Sequence, residues 1–177
     1  MAGSIEVIKA GLETSVQDFP GRYGFWEQGF PPSGPFDMWS FRLANILVGN
    51  EPAAAGLECQ FMGPTLVFSD DCVIALTGAE MNATLDGEAL PQWESVAVAK
   101  GQTLACGFAS VGARAYLAVS GGIDVMVIKC EAISVSEYSH VENSTCSIRP
   151  WVLHFQSKAT EIIPKRFTRA ILRPDTL

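Results

Sequence analysis

With 177 residues, 48% of them apolar and 18% charged, the chain is long enough to bury a core and has the composition of a folded globular protein. A net charge of −7 and an acidic pI near 4.8 exclude a polyanion-binding role built on clustered Lys and Arg, so no nucleic-acid partner is expected. No run approaches the ~18 uninterrupted apolar residues of a membrane span. Met1 to Lys9 also lacks the basic start and long apolar run of a secretory signal, so a cytoplasmic chain without membrane contact is expected.

The first strand is predicted at Ile5–Lys9. Two polar stretches rich in Pro and Gly follow, Ser15 to Arg22 and Pro31 to Asp37. They read as loops with fixed polar groups, a setting in which function concentrates. A helix comes next, with Asp37 as N-cap, Phe41, Ala44, Leu47 and Val48 at helical spacing, and Gly49-Asn50 closing it. A second short helical turn is predicted from Pro52, a residue suited to a first helical position. Strands are then predicted near Leu57–Phe61, Thr65–Phe68, Cys72–Thr77, Asn82–Leu85, Ser95–Val98, Thr103–Cys106 and Arg114–Val119. The turns between them are marked by Gly, Pro and Asp, and Asp86-Gly87 is the strongest hairpin signal. Short strands at such regular spacing point to a mainly β fold, a compact barrel or sandwich with one or two short helices.

All 16 glycines lie at or before Gly122, and both histidines, His140 and His154, lie after it. Residues 1–125 carry five basic and fourteen acidic side chains, residues 126–177 seven basic and five acidic ones, so the charge balance reverses from −9 to +2. The two parts differ in kind. Cys59, Cys72, Cys106, Cys130 and Cys146 are odd in number and form no C-x-x-C pair, so they are expected as free thiols, and no metal site is expected. Without a histidine before residue 125, no Ser-His-Asp or Cys-His arrangement can form within that segment. Gly121-Gly122 is followed by no Walker lysine, and no G-x-G-x-x-G stands between a strand and a helix.

The remaining candidates each have two readings. Asp18 either pairs with Arg22 or serves a ligand. Ser33 and Asp37 either cap the helix or face a site, and Asn45 either satisfies a loop backbone or binds substrate. Glu58 stands on an apolar strand, where a buried carboxylate needs a partner, and Arg22, Arg42 and Arg114 are the choices. Arg114 makes either that interior pair or an anion contact.

Taken in order, several motifs resemble the allophanate-hydrolase-subunit-2 family. This family includes Kip-antagonist proteins, one subunit of bacterial 5-oxoprolinase and a carboxyltransferase subdomain of urea carboxylase and urea amidolyase. The carrying residues are Gly11 to Asp18, Pro20-Gly21-Arg22, Pro32-Ser33-Gly34-Pro35 with Asp37, Phe41 to Asn45 and Leu47 to Asn50. Leu57-Glu58, Gly63-Pro64-Thr65, Leu85-Asp86-Gly87 and Gly112 to Asp124 complete the set. The likeness covers about residues 5 to 125, and Tyr23 to Trp26, Met38 to Phe41 and Glu58 to Phe61 look most like the urea amidolyase branch. Phe36 stands where many relatives have Met.

The resemblance implies a cyclophilin-like β-barrel. It divides the chain into residues 1–125, the N-terminal part of a carboxyltransferase domain, and residues 126–177, a tail foreign to the family. Relatives continue with a Leu-Gly-Ser-x-Ser-Thr motif that is missing after Met126, so the barrel is expected to be incomplete and the tail disordered or mis-spliced. The implied reaction is transfer of a carboxyl group from carboxybiotin to urea, giving allophanate. Biotin would be carried on a separate domain or partner, since this chain has no Met-Lys-Met attachment motif. The implied partners are a biotin carboxyl carrier and a Kip-inhibitor-like (allophanate hydrolase subunit 1) domain. Within that reading Asp18 and Asp37 are acceptors for urea or loop amides, Arg22 and Arg114 are carboxylate contacts, and Gln17, Ser33, Asn45 and Glu58 bind and position substrate. Three other outcomes stay open: a 5-oxoprolinase subunit, a non-catalytic module binding a Kip-inhibitor-like partner, and an inactive truncated product.

Overall fold

The structure, a computed structural model, describes residues 2–29, 31–124 and 151–156. The strands are β1 (Ala2–Lys9), β2 (Glu13–Gln17), β3 (Gly56–Gln60), β4 (Thr65–Phe68), β5 (Cys72–Glu80), β6 (Thr84–Leu85), β7 (Glu88–Ala89), β8 (Ser95–Val98), β9 (Thr103–Ala105), β10 (Val111–Val119), β11 (Ile123–Asp124) and β12 (Trp151–Gln156). One α-helix, α1 (Met38–Leu47), and a single 3-10 turn, Trp26–Gln28, complete the described elements. The strands form two antiparallel sheets, one ordered β11-β12-β1-β4-β9-β6-β7 and the other β2-β3-β10-β5-β8. The mainly β, barrel-like expectation with few helical elements holds.

Alternation along the strands decides which residues meet. On β10, Ala115, Leu117 and Val119 pack with Ile5, Leu66, Phe68, Ile74, Leu76 and Leu104 in the core between the two sheets. The intervening Tyr116 and Ala118 point the other way and join Val73, Ala75 and the helix residues Phe41, Ala44 and Leu47 in a second cluster. Helix α1 thus covers the outer face of the five-stranded sheet through the 3.6-residue stripe seen in the sequence. Phe41 meets Tyr116 edge to face, ring centroids 6.1 Å apart.

Between β5 and β10 the pairing slips. Val111 opposes Glu80 and Ala115 opposes Gly78, so residues 112–114 face Ala79 alone. This bulge frees Arg114 from pairing with β5, while it stays opposite Gln60 on β3. Gly78 makes it possible: its φ is +81°, and a Cβ there would sit 2.5 Å from the Arg114 carbonyl oxygen.

Three features depart from the sequence reading. Glu13–Gln17, whose last three residues Ser15 to Gln17 read as the start of a functional loop, is a strand on the edge of the five-stranded sheet. Around Pro52 the chain makes one turn, closed by the Ala54 N–H donating to Glu51, and enters β3 directly, without a second helix. Trp151–Gln156, within the stretch set apart as a tail, forms a strand paired with β1 from Ala2 opposite Gln156 to Val7 opposite Trp151. Cys130, Cys146, His140 and the basic stretch from Ile162 to Arg173 lie outside the described residues.

Candidate functional site

One row of polar side chains crosses the helix-facing side of the five-stranded sheet. Ser15 on β2 opposes Glu58 on β3, Glu58 opposes Tyr116 on β10, and Tyr116 opposes Thr77 on β5. Glu58, Tyr116 and Thr77 are buried, and each has its partner at the start of α1. Glu58 Oε2 accepts from the Phe36 N–H at 2.7 Å, the Tyr116 hydroxyl accepts from the Asp37 N–H at 2.7 Å, and Thr77 Oγ1 donates to the Ser40 carbonyl at 2.7 Å. Asp37 is the N-cap, its carboxylate accepting from the Trp39 and Ser40 N–H groups. The sheet therefore seats the loop and the first helical turn together.

Of the three arginines that could meet Glu58, Arg114 does so, with Nη1 2.7 Å from Oε1. Two charge-assisted hydrogen bonds make burial of this carboxylate tolerable. The Arg114 guanidinium also lies over the Phe36 ring, 4.5 Å from its centroid. Arg42 instead stacks over Phe19 at 5.1 Å, and its buried Nε has no hydrogen-bond partner among the described residues. Burial pushes the Tyr116 pKa up; the Asp37 N–H bond works against this and the Glu58 charge adds to it. The hydroxyl stays protonated.

Arg114 lines a cleft of about 740 Å³ together with Phe36, Asp37, Ser40, Gln60, Phe61, Glu80, Gln92 and Trp93. Phe36 is 77% exposed there, and Trp39 beside it 75%. Among the sequence candidates, Asp37, Glu58 and Arg114 are thus brought together. Arg22 and Ser33 meet in a separate loop contact, where the Ser33 N–H donates to the Arg22 carbonyl at 3.2 Å and the Arg22 guanidinium donates to the Pro31 carbonyl at 3.3 Å. Gln17 is almost buried and donates to Ser15 Oγ, while Asp18 next to it is exposed. Asn45 is wholly buried at the other end of the helix, where Nδ2 donates to the Ala54 carbonyl and Oδ1 accepts from Asn50. Tyr116, Thr77, Phe61 and Trp93 were not singled out from sequence.

The described cysteines are buried and free. Burial pushes the thiols of Cys72 and Cys106 up to about 12, and burial with the neighbouring Cys106 raises Cys59 further. None is a ready nucleophile near neutral pH. Among the described residues no group of three or more His, Cys, Asp or Glu is placed to hold a metal ion, and no helix is long and apolar enough to cross a membrane.

The family model for the carboxyltransferase domain, subdomain A and B, matches residues 28–135. This chain belongs to that family. Urea amidolyase of Saccharomyces cerevisiae is 49% identical over 122 residues, which is 69% of this chain and 7% of the yeast protein. A 5-oxoprolinase subunit of Escherichia coli is 42% identical over 121 residues, 68% of this chain and 39% of that protein. The crystal structure of Kluyveromyces lactis urea amidolyase superposes with a TM-score of 0.67 at 48% identity, over 69% of this chain and 7% of that one. The chain is a carboxyltransferase-like domain of the urea carboxylase and amidolyase kind, and it spans a small part of those relatives. The cleft beside Arg114 is the candidate site of this carboxyltransferase segment.

Proposed function

We propose that the chain contributes part of a carboxyltransferase site in a larger urea carboxylase or amidolyase, where a carboxyl group passes from carboxybiotin to urea and gives allophanate. The observation that carries this reading is the placement of Arg114. It is held by Glu58 and Phe36 in the wall of a cleft, in a chain that belongs to a carboxyltransferase family. Biotin, attached to another domain or partner, would supply the activated carboxyl group. The residues present fit it: a guanidinium for a carboxylate, the carboxamides of Gln60 and Gln92 for a ureido edge, and aromatic surfaces beside them.

In this reading Arg114 holds the carboxylate and Glu58 fixes the direction of its guanidinium. Asp37 places the helix N-terminus against the developing charge while capping it. Arg22 is a second carboxylate contact and Asp18 an acceptor for urea or loop amides, while Ser33, Gln17 and Asn45 position the loop and the helix. The partners are a biotin carboxyl carrier and a Kip-inhibitor-like domain, and the compartment is the cytoplasm.

The test uses the complete enzyme carrying this segment with Arg114→Lys, which keeps a cation beside Glu58 and loses the planar fork. Urea-dependent turnover should fall at least about tenfold while carboxylation of the biotin carrier continues. Unchanged urea turnover would discard the role. A second reading, a subunit acting on 5-oxoproline, rests on the E. coli relative. It predicts that 5-oxoproline and not urea drives ATP consumption in the assembled complex.

A further inference from the structure

Among the described residues four that are not glycine have a positive φ: Phe61 at 57°, Asn82 at 46°, Asp86 at 50° and Trp93 at 60°. Asn and Asp tolerate this left-handed region, whereas a bulky aromatic there is a steric outlier. Both outliers are aromatic, and both line the cleft beside Arg114. Core packing does not account for them: Phe61 is 47% exposed, and neither residue belongs to a buried cluster. Their backbones are nevertheless tied down. The Phe61 N–H donates to Ala113 and its carbonyl accepts from Ala109, both at 2.7 Å, and the Trp93 N–H donates to Leu76 at 2.9 Å. Strain that surrounding hydrogen bonds enforce, on two side chains facing one cleft, marks a site shaped for a ligand.

We propose that Phe61 and Trp93 supply the stacking faces for the flat ring of a cyclic urea or cyclic amide bound in this cleft, and that they set its preference for a ring. The proposal rests on the reading above for the location of the site. The polar lining specifies the ring's edge. Arg114 is paired with Glu58, and Asp37 and Glu80 add carboxylates to the walls, so selection among ligands falls to the ring's edge and face as well as to charge. Gln92 uses Nε2 on the Ala79 carbonyl, which leaves Oε1 to accept from a ring N–H. Gln60 and the remaining Arg114 donors suit a ring carbonyl. Both a ureido ring and a lactam present this edge, and both would lay a flat face on an aromatic ring.

The experiment is saturation-transfer NMR on the full 177-residue chain with three probes, biotin, 5-oxoproline and urea, for the native sequence, Phe61→Asn and Trp93→Asn. Asn accepts the positive φ, so each variant should keep a thermal midpoint within a few degrees of the native one. The expected result is a signal for at least one ring probe that falls at least about fivefold in both variants, while any urea signal, from a molecule with no ring to stack, is unchanged. Equal ring binding by folded variants overturns the proposal and leaves the urea carboxylase reading intact. Ring binding by 5-oxoproline alone, lost in the variants, supports the proposal and moves the substrate reading to the lactam. No binding of either ring probe by the native chain overturns the proposal. Should a variant not fold, NOEs between the probe and 13C-labelled Phe and Trp rings of the native chain decide the matter, and their absence overturns it.

Discussion

The two ends of helix α1 are both fastened to the sheet by buried polar side chains, yet one end is closed and the other opens on a cleft. At the C-terminal end, Asn45 reaches the Ala54 carbonyl, and Asn50 joins Asn45 Oδ1, the Val119 carbonyl and the Gly121 N–H. Every one of these bonds links protein to protein. At the N-terminal end, Glu58, Tyr116 and Thr77 hold backbone atoms of residues 36–40, and Arg114 and Phe36 remain at the surface beside them. The same residue types thus serve closure at one end and presentation at the other. What separates them is whether an exposed group depends on the network.

The largest effect that sharpens this contrast is expected from Asn45→Leu. It takes the donor from the Ala54 carbonyl and one of two acceptors from the Asn50 amide, which keeps the Val119 carbonyl, at a cost of about 2 kcal/mol. Guanidinium unfolding should show that loss, with ring-probe binding by the folded fraction unchanged. Lost binding without lost stability would break the division between the ends. Tyr116→Phe is next. The ring stays packed on Phe41 while the Asp37 N–H loses its acceptor, which should cost about 1 to 2 kcal/mol. Hydrogen exchange should quicken at the Asp37 amide and stay slow at Gly121; equal protection at Asp37 would show that the hydroxyl does not hold the loop. Asp37→Asn is the mildest change, since Asn also caps helices, and stability should move by less than about 0.5 kcal/mol. A marked drop in urea-dependent turnover of the complete enzyme with that small shift would assign the carboxylate to the chemistry, and unchanged turnover would leave it as a cap.

Much of the fold was legible because apolar residues alternate where a strand is half buried, as in Thr65–Phe68, and run on unbroken where it is buried on both faces, as in Cys72 to Thr77. The Asp86-Gly87 hairpin shows the expected positive φ at both residues. Strand β2 was missed because its outward residues are polar. Thr14 buries itself by donating to the Ala10 carbonyl, which hides the apolar alternation that usually marks a strand. Strand β12 carries Val152 and two aromatics, yet a six-residue run in a mixed-polarity stretch gives no partner, and pairing with β1 is a long-range choice.

In the site, Asp37, Glu58 and Arg114 were visible as polar residues in telling positions. Tyr116 was not, since a Tyr within the apolar run from Ala115 to Val119 reads as core, and its hydroxyl matters because the Asp37 N–H, far along the chain, donates to it. Phe61 entered only as the end of a strand and of a family motif, and Trp93 left no signal. Their significance is a backbone angle, imposed by partners at Ala109, Ala113 and Leu76 that lie far along the chain.

The pairing of β1 with β12 sets an order on synthesis. β1 takes β4 as one neighbour early, but its other edge must wait until residues 151–156 have left the ribosome. Until then that edge offers unpaired N–H and carbonyl groups, a template for any passing chain. Late closure of this kind makes yield depend on how fast nascent chains are produced, so slower expression at lower temperature should raise the fraction recovered as monomer.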